Sequence, residues 1–330
     1  MTAINSVLPW QQKNWGLLHS YIKQKRIPQA LLITGTGGLG KHSLAKQFAH
    51  SLLCLKPQDD GSCCGHCNSC LLVKADTHPD LIQIQPDEEK KTISINQIRT
   101  VVADTYLKPQ FETHRVVIIN PADVMTASAA NAFLKCLEEP TERTVFILIS
   151  DKPNKLPATI VSRCQKLSIT FPERQILYEW LKGQGIDHNQ ETLLNLMRGS
   201  ILKAQQLSDE GLLKQRKDCF NDWLTIANHT DHPAIISEKW QKLPETELIN
   251  WLISWVTDLI KCACGINSEL LSNQDLAKPL QSVSQQLELK GLYGLYDRII
   301  SSRQQLGTQI NFQIMIEEIL VQWQELNGRN

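Results

Sequence analysis

The chain is 330 residues long and 42% hydrophobic, with 34 Lys plus Arg balanced by 34 Asp plus Glu. At roughly 100–200 residues per domain the length allows two or three domains, and the apolar content excludes a wholly disordered chain. Zero net charge speaks against holding nucleic acid by bulk electrostatics alone.

In chain order, Ala30-Leu31-Leu32-Ile33-Thr34 reads as a buried strand. It runs into Gly35-Thr36-Gly37-Gly38-Leu39-Gly40-Lys41-His42, and a helix is expected from Ser43 to Leu55, with apolar residues at Leu44, Phe48, Leu52 and Leu55. Strand, glycine loop, Gly-Lys and helix make up the phosphate-loop arrangement. Glycines let backbone N–H groups curl around a phosphate, and Lys41 would neutralise its charge, so Gly35, Gly40 and Lys41 are the candidate phosphate-binding residues. The next position calls for a Ser or Thr hydroxyl on Mg²⁺ and holds His42 instead. Ser43 comes one residue late, turned by about 100° on the helix. The pattern marks phosphate-loop ancestry and leaves present ATP binding open.

Ten cysteines are many for such a chain, and four of them, Cys63, Cys64, Cys67 and Cys70, fall within eight residues. Met1 to Gln12 lacks the charged start and apolar run of a signal peptide, and no apolar stretch of about 18 residues offers a membrane span. A cytoplasmic chain is expected, in which cysteines serve as thiols or metal ligands rather than disulfides. Cys64-Gly-His-Cys67-Asn-Ser-Cys70 holds two successive C-x-x-C spacings, which let thiolates converge on one ion, as structural Zn²⁺ requires. The fourth ligand has to come from elsewhere. Cys54 is the best candidate, with Cys63 and His66 next. Such a closed site stabilises a fold and leaves no open position for catalysis. Cys136, Cys164, Cys219, Cys262 and Cys264 read as small buried residues.

A second buried strand, Arg115 to Ile119, ends at Asn120, Pro121, Ala122 and Asp123. A hydrolase of this type would carry Asp at 120 for the Mg²⁺ shell and Glu at 121 to activate water. Asn120 has no charge and Pro121 is no base, so ATP hydrolysis is not expected. Asp123 is read as the cap of the next helix, which covers Ala129 to Glu139 with Pro140 just past its end. A third strand, Thr144 to Ile149, leads to Ser150-Asp151-Lys152-Pro153 and then Ser162-Arg163-Cys164. Strands alternating with helices imply a mainly parallel sheet covered on both faces.

Phe171-Pro172 marks a boundary. Helical periodicity follows at Ile176, Leu177, Trp180 and Leu181, then at Leu193, Leu194, Leu196 and Met197, as in a small lid of about three helices. After the connection Ser208-Asp209-Glu210-Gly211 the chain reads as helices only. The stripes Leu248, Leu252, Trp255, Leu259 and Ile310, Ile314, Glu317, Leu320 repeat at helical spacing and are read as core faces, with an exposed collar interface as the alternative for some of them. Residues 1–165 hold 18 Lys/Arg and 14 Asp/Glu, whereas residues 166–330 hold 16 and 20. The excess of basic residues in the first half is too small for tight DNA binding by this chain alone. Glu88-Glu89-Lys90-Lys91 reads as a solvated turn.

The residues of the first half resemble the bacterial clamp-loader group of AAA+ proteins. The likeness rests on the cysteine run inside a phosphate-loop domain and on Thr77-His78-Pro79-Asp80 followed by Ile93-Ser94-Ile95-Asn96-Gln97-Ile98-Arg99. It also rests on the Leu137-Glu138-Glu139-Pro140 helix end and on Ser162-Arg163-Cys164. The altered ATP site narrows the resemblance to the delta prime family of DNA polymerase III subunits. These motifs cover about the first 170 residues.

The resemblance implies an α/β fold in three parts. They are an AAA+ phosphate-loop domain with a parallel sheet over residues 1–168, a helical lid over 169–208 and an all-α collar domain over 209–330. A zinc module, about residues 54–70, is inserted in the first. It implies a non-motor member of a DNA-directed DNA polymerase (nucleotidyltransferase) holoenzyme, placed in an open ring beside an ATP-binding gamma/tau subunit. Arg163 would then reach the neighbour's ATP site as an arginine finger, where a guanidinium stabilises charge developing on the γ-phosphoryl. The implied partners are gamma/tau and delta subunits and, through the assembled ring, a sliding clamp and primed DNA, with no membrane.

Some positions depart from the family pattern. Nine residues separate Cys54 from Cys64, one more than the family spacing, which is read as a one-residue bulge with Cys64 kept as ligand. Gly199 to Ala204 resembles the lid sensor segment, yet Leu202 stands where active members carry Arg. Ser150 matches the first-sensor position, and a turn-capping hydroxyl is its simpler reading. An active gamma/tau-like motor is the competing enzymatic reading. Lys41 favours it, while His42, Asn120, Pro121, Leu202 and the chain length oppose it. A free-standing zinc-containing DNA-binding module suits the cysteines but not the neutral charge.

Overall fold

The computed structural model describes residues 7–86, 91–111, 113–139, 141, 143–186, 190, 193–194, 210–306 and 310–328. Leu202 and the segment 199–204, Leu196, Met197, Ser208, Asp209, Glu88 to Lys90 and Pro140 lie outside the described residues. The chain forms two compact units that part between Trp180 and Leu181.

The first unit is built on five parallel strands: β1 (Ala30–Thr34), β2 (Leu81–Ile84), β3 (Arg115–Ile119), β4 (Thr144–Ser150) and β5 (Gln165–Ser168). Their order is β2-β3-β4-β1-β5. β3 and β4 are buried along their whole length and β1 along all but Thr34, which is why each is a nearly unbroken apolar run. The two edge strands, Leu-Ile-Gln-Ile and Gln-Lys-Leu-Ser, are short and partly solvated. β5 has a single apolar residue, and β2, though three of its four residues are apolar, is only four residues long; neither is read as a strand from the sequence. In register, Thr34 lies beside Ser150 on one side and Ser168 on the other. The loops after β1, β3 and β4 therefore meet at the carboxyl end of the sheet, where open α/β folds bind their ligands.

The helices of this unit are α1 (Gln12–Lys23), α2 (Lys41–Leu53), α3 (Asn68–Lys74), α4 (Ile95–Thr105), α5 (Ala127–Glu138) and α6 (Ala158–Val161). Another, α7 (Arg174–Gly183), runs across the division between the units. α2 packs on β1, β3 and β4, while α4 and α5 pack together. Ile98, Val101, Ala129, Ala130 and Phe133 from α4 and α5 join Leu32, Val117, Ile119, Phe146 and Leu148 in one core cluster. α4 starts at a reciprocal capping box between Ser94 and Gln97. α5 is capped by Thr126, whose hydroxyl accepts from the Ala129 N–H. Asp123 does not cap it, because it sits in a short 3-10 turn and its carboxylate faces Ser150.

The second unit, where described, is helical. After α7 come α8 (Glu210–Ala227), α9 (Pro233–Trp240), α10 (Glu245–Ala263), α11 (Ala277–Ser284), α12 (Leu289–Gln305) and α13 (Phe312–Asn327). Its core is aromatic: Trp223, Trp240, Trp255 and Trp323 are fully buried. Trp223 and Trp323 stack at 3.9 Å and 11°, and the Trp323 indole N–H donates to the Trp223 carbonyl at 2.9 Å. Leu248, Leu252, Trp255 and Leu259 all lie in this core. The second stripe does not hold as drawn. Ile310 and Ile314 are exposed, while Leu320 is buried as expected and Met315, Ile316, Ile319 and Trp323 join it in facing inward. The helix begins only at Phe312, so Ile310 belongs to no helical face. Two of the cysteines read as buried are not: Cys264 is exposed and Cys262 only half-buried, at the C-terminal end of α10. No described helix is long and apolar enough to cross a membrane.

Candidate functional site

Three constellations carry the chemistry the sequence singled out. The first is the phosphate loop. Gly35 and Gly40 adopt positive φ, at 146° and 79°, and Gly40 starts α2. A Cβ at Gly35 would meet the Ile169 carbonyl at 2.5 Å, so the loop passes tightly against the chain leaving β5. Lys41 is the first residue of α2, two residues before the expected start, and its side chain is 4% exposed. Its ammonium donates to the carbonyls of Gly35 at 2.8 Å and Thr36 at 2.5 Å, and pairs with the Asp151 carboxylate at 2.8 Å. Trp10 Nε1 and Gln11 Nε2 both donate to the Leu39 carbonyl from the segment before α1.

The positions that would serve Mg²⁺ face each other without charge. Asn120 Nδ2 donates to His42 Nδ1 at a long 3.4 Å. Burial, with Lys46 nearby, pulls the His42 imidazole below its ordinary pKa and favours the neutral ring. Ser150 donates to Asp123 Oδ1 at 2.6 Å and accepts from the Lys152 N–H at 3.1 Å, and the Asp151 N–H donates to the same Asp123 oxygen at 3.2 Å. The sequence reading gave Asp123 only a capping role and assigned none to Asp151, although both carboxylates lie at this end of the sheet. The signal lay in Asp151, a carboxylate one residue past a strand that neighbours the loop-bearing one.

The second constellation is the cysteine cluster. Cys54 is the C-cap of α2, Cys67 the N-cap of α3, and Cys70 lies in the first turn of α3. Cys64 reaches the group from a loop that turns at Gly65, φ 76°. The Sγ atoms of Cys54, Cys64, Cys67 and Cys70 all lie within 4.8 Å of one another. Cys54 and Cys67 are 4.0 Å apart, and Cys64 and Cys70 3.9 Å. A tetrahedron with arms of about 2.3 Å has edges of about 3.8 Å, so the donor set fits Zn²⁺. Backbone N–H groups of Cys64, Cys67 and Cys70 point at the sulfurs of Cys54, Cys64 and Cys67, an outer shell that favours thiolates. The His66 backbone N–H brings the Cys64 thiol down to about 6, whereas burial pushes Cys54 and Cys70 up. Cys63 packs against the group without joining the four, and His66 turns its ring to the Cys64 carbonyl.

The Thr-His-Pro-Asp segment ties this cluster to the sheet. His78 Nδ1 accepts from the Asp80 N–H, which leaves Nε2–H to donate to Ser69 Oγ, while Ser69 donates to the Leu53 carbonyl. The buried Asp80 carboxylate accepts from Arg115 on β3 and from the N–H groups of Gln110 and Phe111.

The third is Arg163, in the turn between α6 and β5. Cys164 beside it is buried in the sheet core, and burial raises its thiol to about 11. The core-anchored cysteine leaves Arg163 outside, its side chain 38% exposed. The guanidinium pairs with Glu138 at 2.8 Å and donates to the Thr159 carbonyl at 3.0 Å. It borders a cleft of about 270 Å³ lined also by Gln29, Leu137, Phe146 and Gln165.

Residues 10–173 match the family model "DNA polymerase III, delta subunit", and residues 210–325 match "DNA polymerase III, delta subunit, C terminal". The chain is 32% identical to the DNA polymerase III subunit delta' of Pseudomonas aeruginosa over 98% of both chains. The chain belongs to the delta' family. The Haemophilus influenzae member is 30% identical over 88% of each chain, and the Escherichia coli member 28% identical over 95% of this chain and 94% of that one. A solved gamma subunit-related protein of DNA polymerase III from Thermotoga maritima aligns at 17% identity over 94% of this chain and 99% of that chain, with a TM-score of 0.48. Membership in the delta' family places the chain among subunits of DNA polymerase III.

Proposed function

We propose that this delta' family member is a non-motor subunit of the clamp loader. It braces the ring and supplies Arg163 to the ATP site of a neighbouring gamma/tau subunit, so that a sliding clamp is loaded on primed DNA. Gamma/tau and delta subunits are the direct partners, and clamp and DNA are met through the assembled complex. The observation that carries this reading is the contrast between two sites on one chain. The loop that would hold a nucleotide has its lysine engaged internally and its metal positions occupied by His42 and Asn120. Arg163, by contrast, stands half-exposed on a core-anchored turn, and its partners among the described residues, Glu138 and the Thr159 carbonyl, are exposed too. A surface ion pair of this kind is worth about 1 kcal/mol or less, so a phosphate can displace Glu138 from the guanidinium at little cost.

In the same reading, Cys54, Cys64, Cys67 and Cys70 hold a structural Zn²⁺. The ion would link the end of α2 to the start of α3, and its role is stability. The chain is organised as a phosphate-loop domain over 1–168, a lid over 169–208 and a collar domain over 209–330.

Substituting Arg163→Ala tests the central claim. Ring assembly with gamma/tau and delta should persist on gel filtration. ATP hydrolysis by the reconstituted complex with clamp and primed DNA should fall severalfold. Unchanged hydrolysis would remove Arg163 from this role.

A further inference from the structure

We infer that Asp151 is the built-in anion of the phosphate loop: its carboxylate takes the place of a phosphate against Lys41 and holds the loop closed to polyphosphate. Three observations converge on it. The Lys41 ammonium donates to the Gly35 and Thr36 carbonyls and lies 2.8 Å from Asp151 Oδ1, its ion-pair partner. The other oxygen, Oδ2, lies so near the loop backbone that a Cβ on Gly37 would come within 3.0 Å of it. The carboxylate thus pairs with the lysine and lies against the middle of the glycine loop, the two elements that together cradle a phosphate. Finally, Asp151 is itself held in place. Asp123 Oδ1 accepts from both the Asp151 N–H and the Ser150 hydroxyl, which fixes the chain as it leaves β4.

A phosphate entering the loop would have to break an ion pair to a 4% exposed ammonium and then sit beside a second negative charge. The ligand excluded is a polyphosphate chain, as in a nucleoside triphosphate. The inference deepens the non-motor reading, which uses the same Lys41 contacts, but its test concerns the isolated chain and that of Arg163 the assembled ring, so the two fail separately.

The test measures binding of ATP, without Mg²⁺, to the full chain and to Asp151→Asn, which keeps the shape and removes the charge. Asp151→Ser serves in its place if the first variant shows a disturbed near-ultraviolet circular dichroism spectrum. Isothermal titration should show affinity at least about tenfold higher in the variant than in the parent chain, the change expected from removing one like charge at contact distance in a half-solvated site. Adding Lys41→Met to the variant should abolish the gain. Equal affinity in parent and variant, including no measurable binding by either, would overturn the inference. So would a gain that survives Lys41→Met.

Discussion

The fully buried Asp80 carboxylate pairs with the Arg115 guanidinium and accepts from two backbone N–H groups at the sheet edge. Arg115 in turn donates to the carbonyls of Asp104, Leu107 and Lys108, so one guanidinium closes the end of α4. Removing one partner of a buried pair leaves an uncompensated charge, at about 3–5 kcal/mol. Asp80→Ala should therefore lower the unfolding free energy of the first unit by about that amount in urea. A loss below about 1 kcal/mol would show that the pair is solvated. At this scale the sequence is only half a guide. The segment Thr77-His78-Pro79-Asp80 is recognisable as a motif, but its work is structural, and nothing local in it announces that His78 will reach Ser69 or that Asp80 will meet Arg115.

Among elements, α2 and α3 show what a short helix needs from its ends. α3 has seven residues, too few to persist alone in water, and both Cys67 and Cys70 lie in or next to its first turn. A metal on these sulfurs would do for α3 what length does for other helices. Cys67→Ala should accordingly reduce bound zinc, read by metal analysis of the purified chain, to a small fraction of one equivalent. It should also lower the stability of the first unit by several kcal/mol. Full metal content would refute the ligand set. The central strands were legible because burial on both faces writes an apolar run into the sequence, and the phosphate loop because strand, glycines and lysine are contiguous. The edge strands were not, since β5 is polar at all but Leu167 and β2 is only four residues long, interrupted by Gln83. The Lys41–Asp151 pair was hidden for another reason. It joins residues 110 positions apart, and only the parallel pairing of β1 with β4 sets them side by side.

Over the whole molecule, the cysteine cluster and the tryptophan core belong to different units. The cluster lies in the first, whereas Trp223, Trp240, Trp251, Trp255 and Trp323 lie in the second. Chelation should therefore act on one unit and spare the other. With a strong chelator, far-ultraviolet circular dichroism should show an early loss of structure about 10 °C below the transition of the metal-loaded chain. The near-ultraviolet signal of the stacked Trp223–Trp323 pair should persist to its original temperature. One coincident transition by both probes would contradict this. The tight passage of Gly35 beside the Ile169 carbonyl carries a different lesson. No side chain fits there, whatever the loop does or does not bind. A glycine at that position is demanded by architecture, so a lineage that has given up nucleotides altogether would go on displaying the signature of a nucleotide binder.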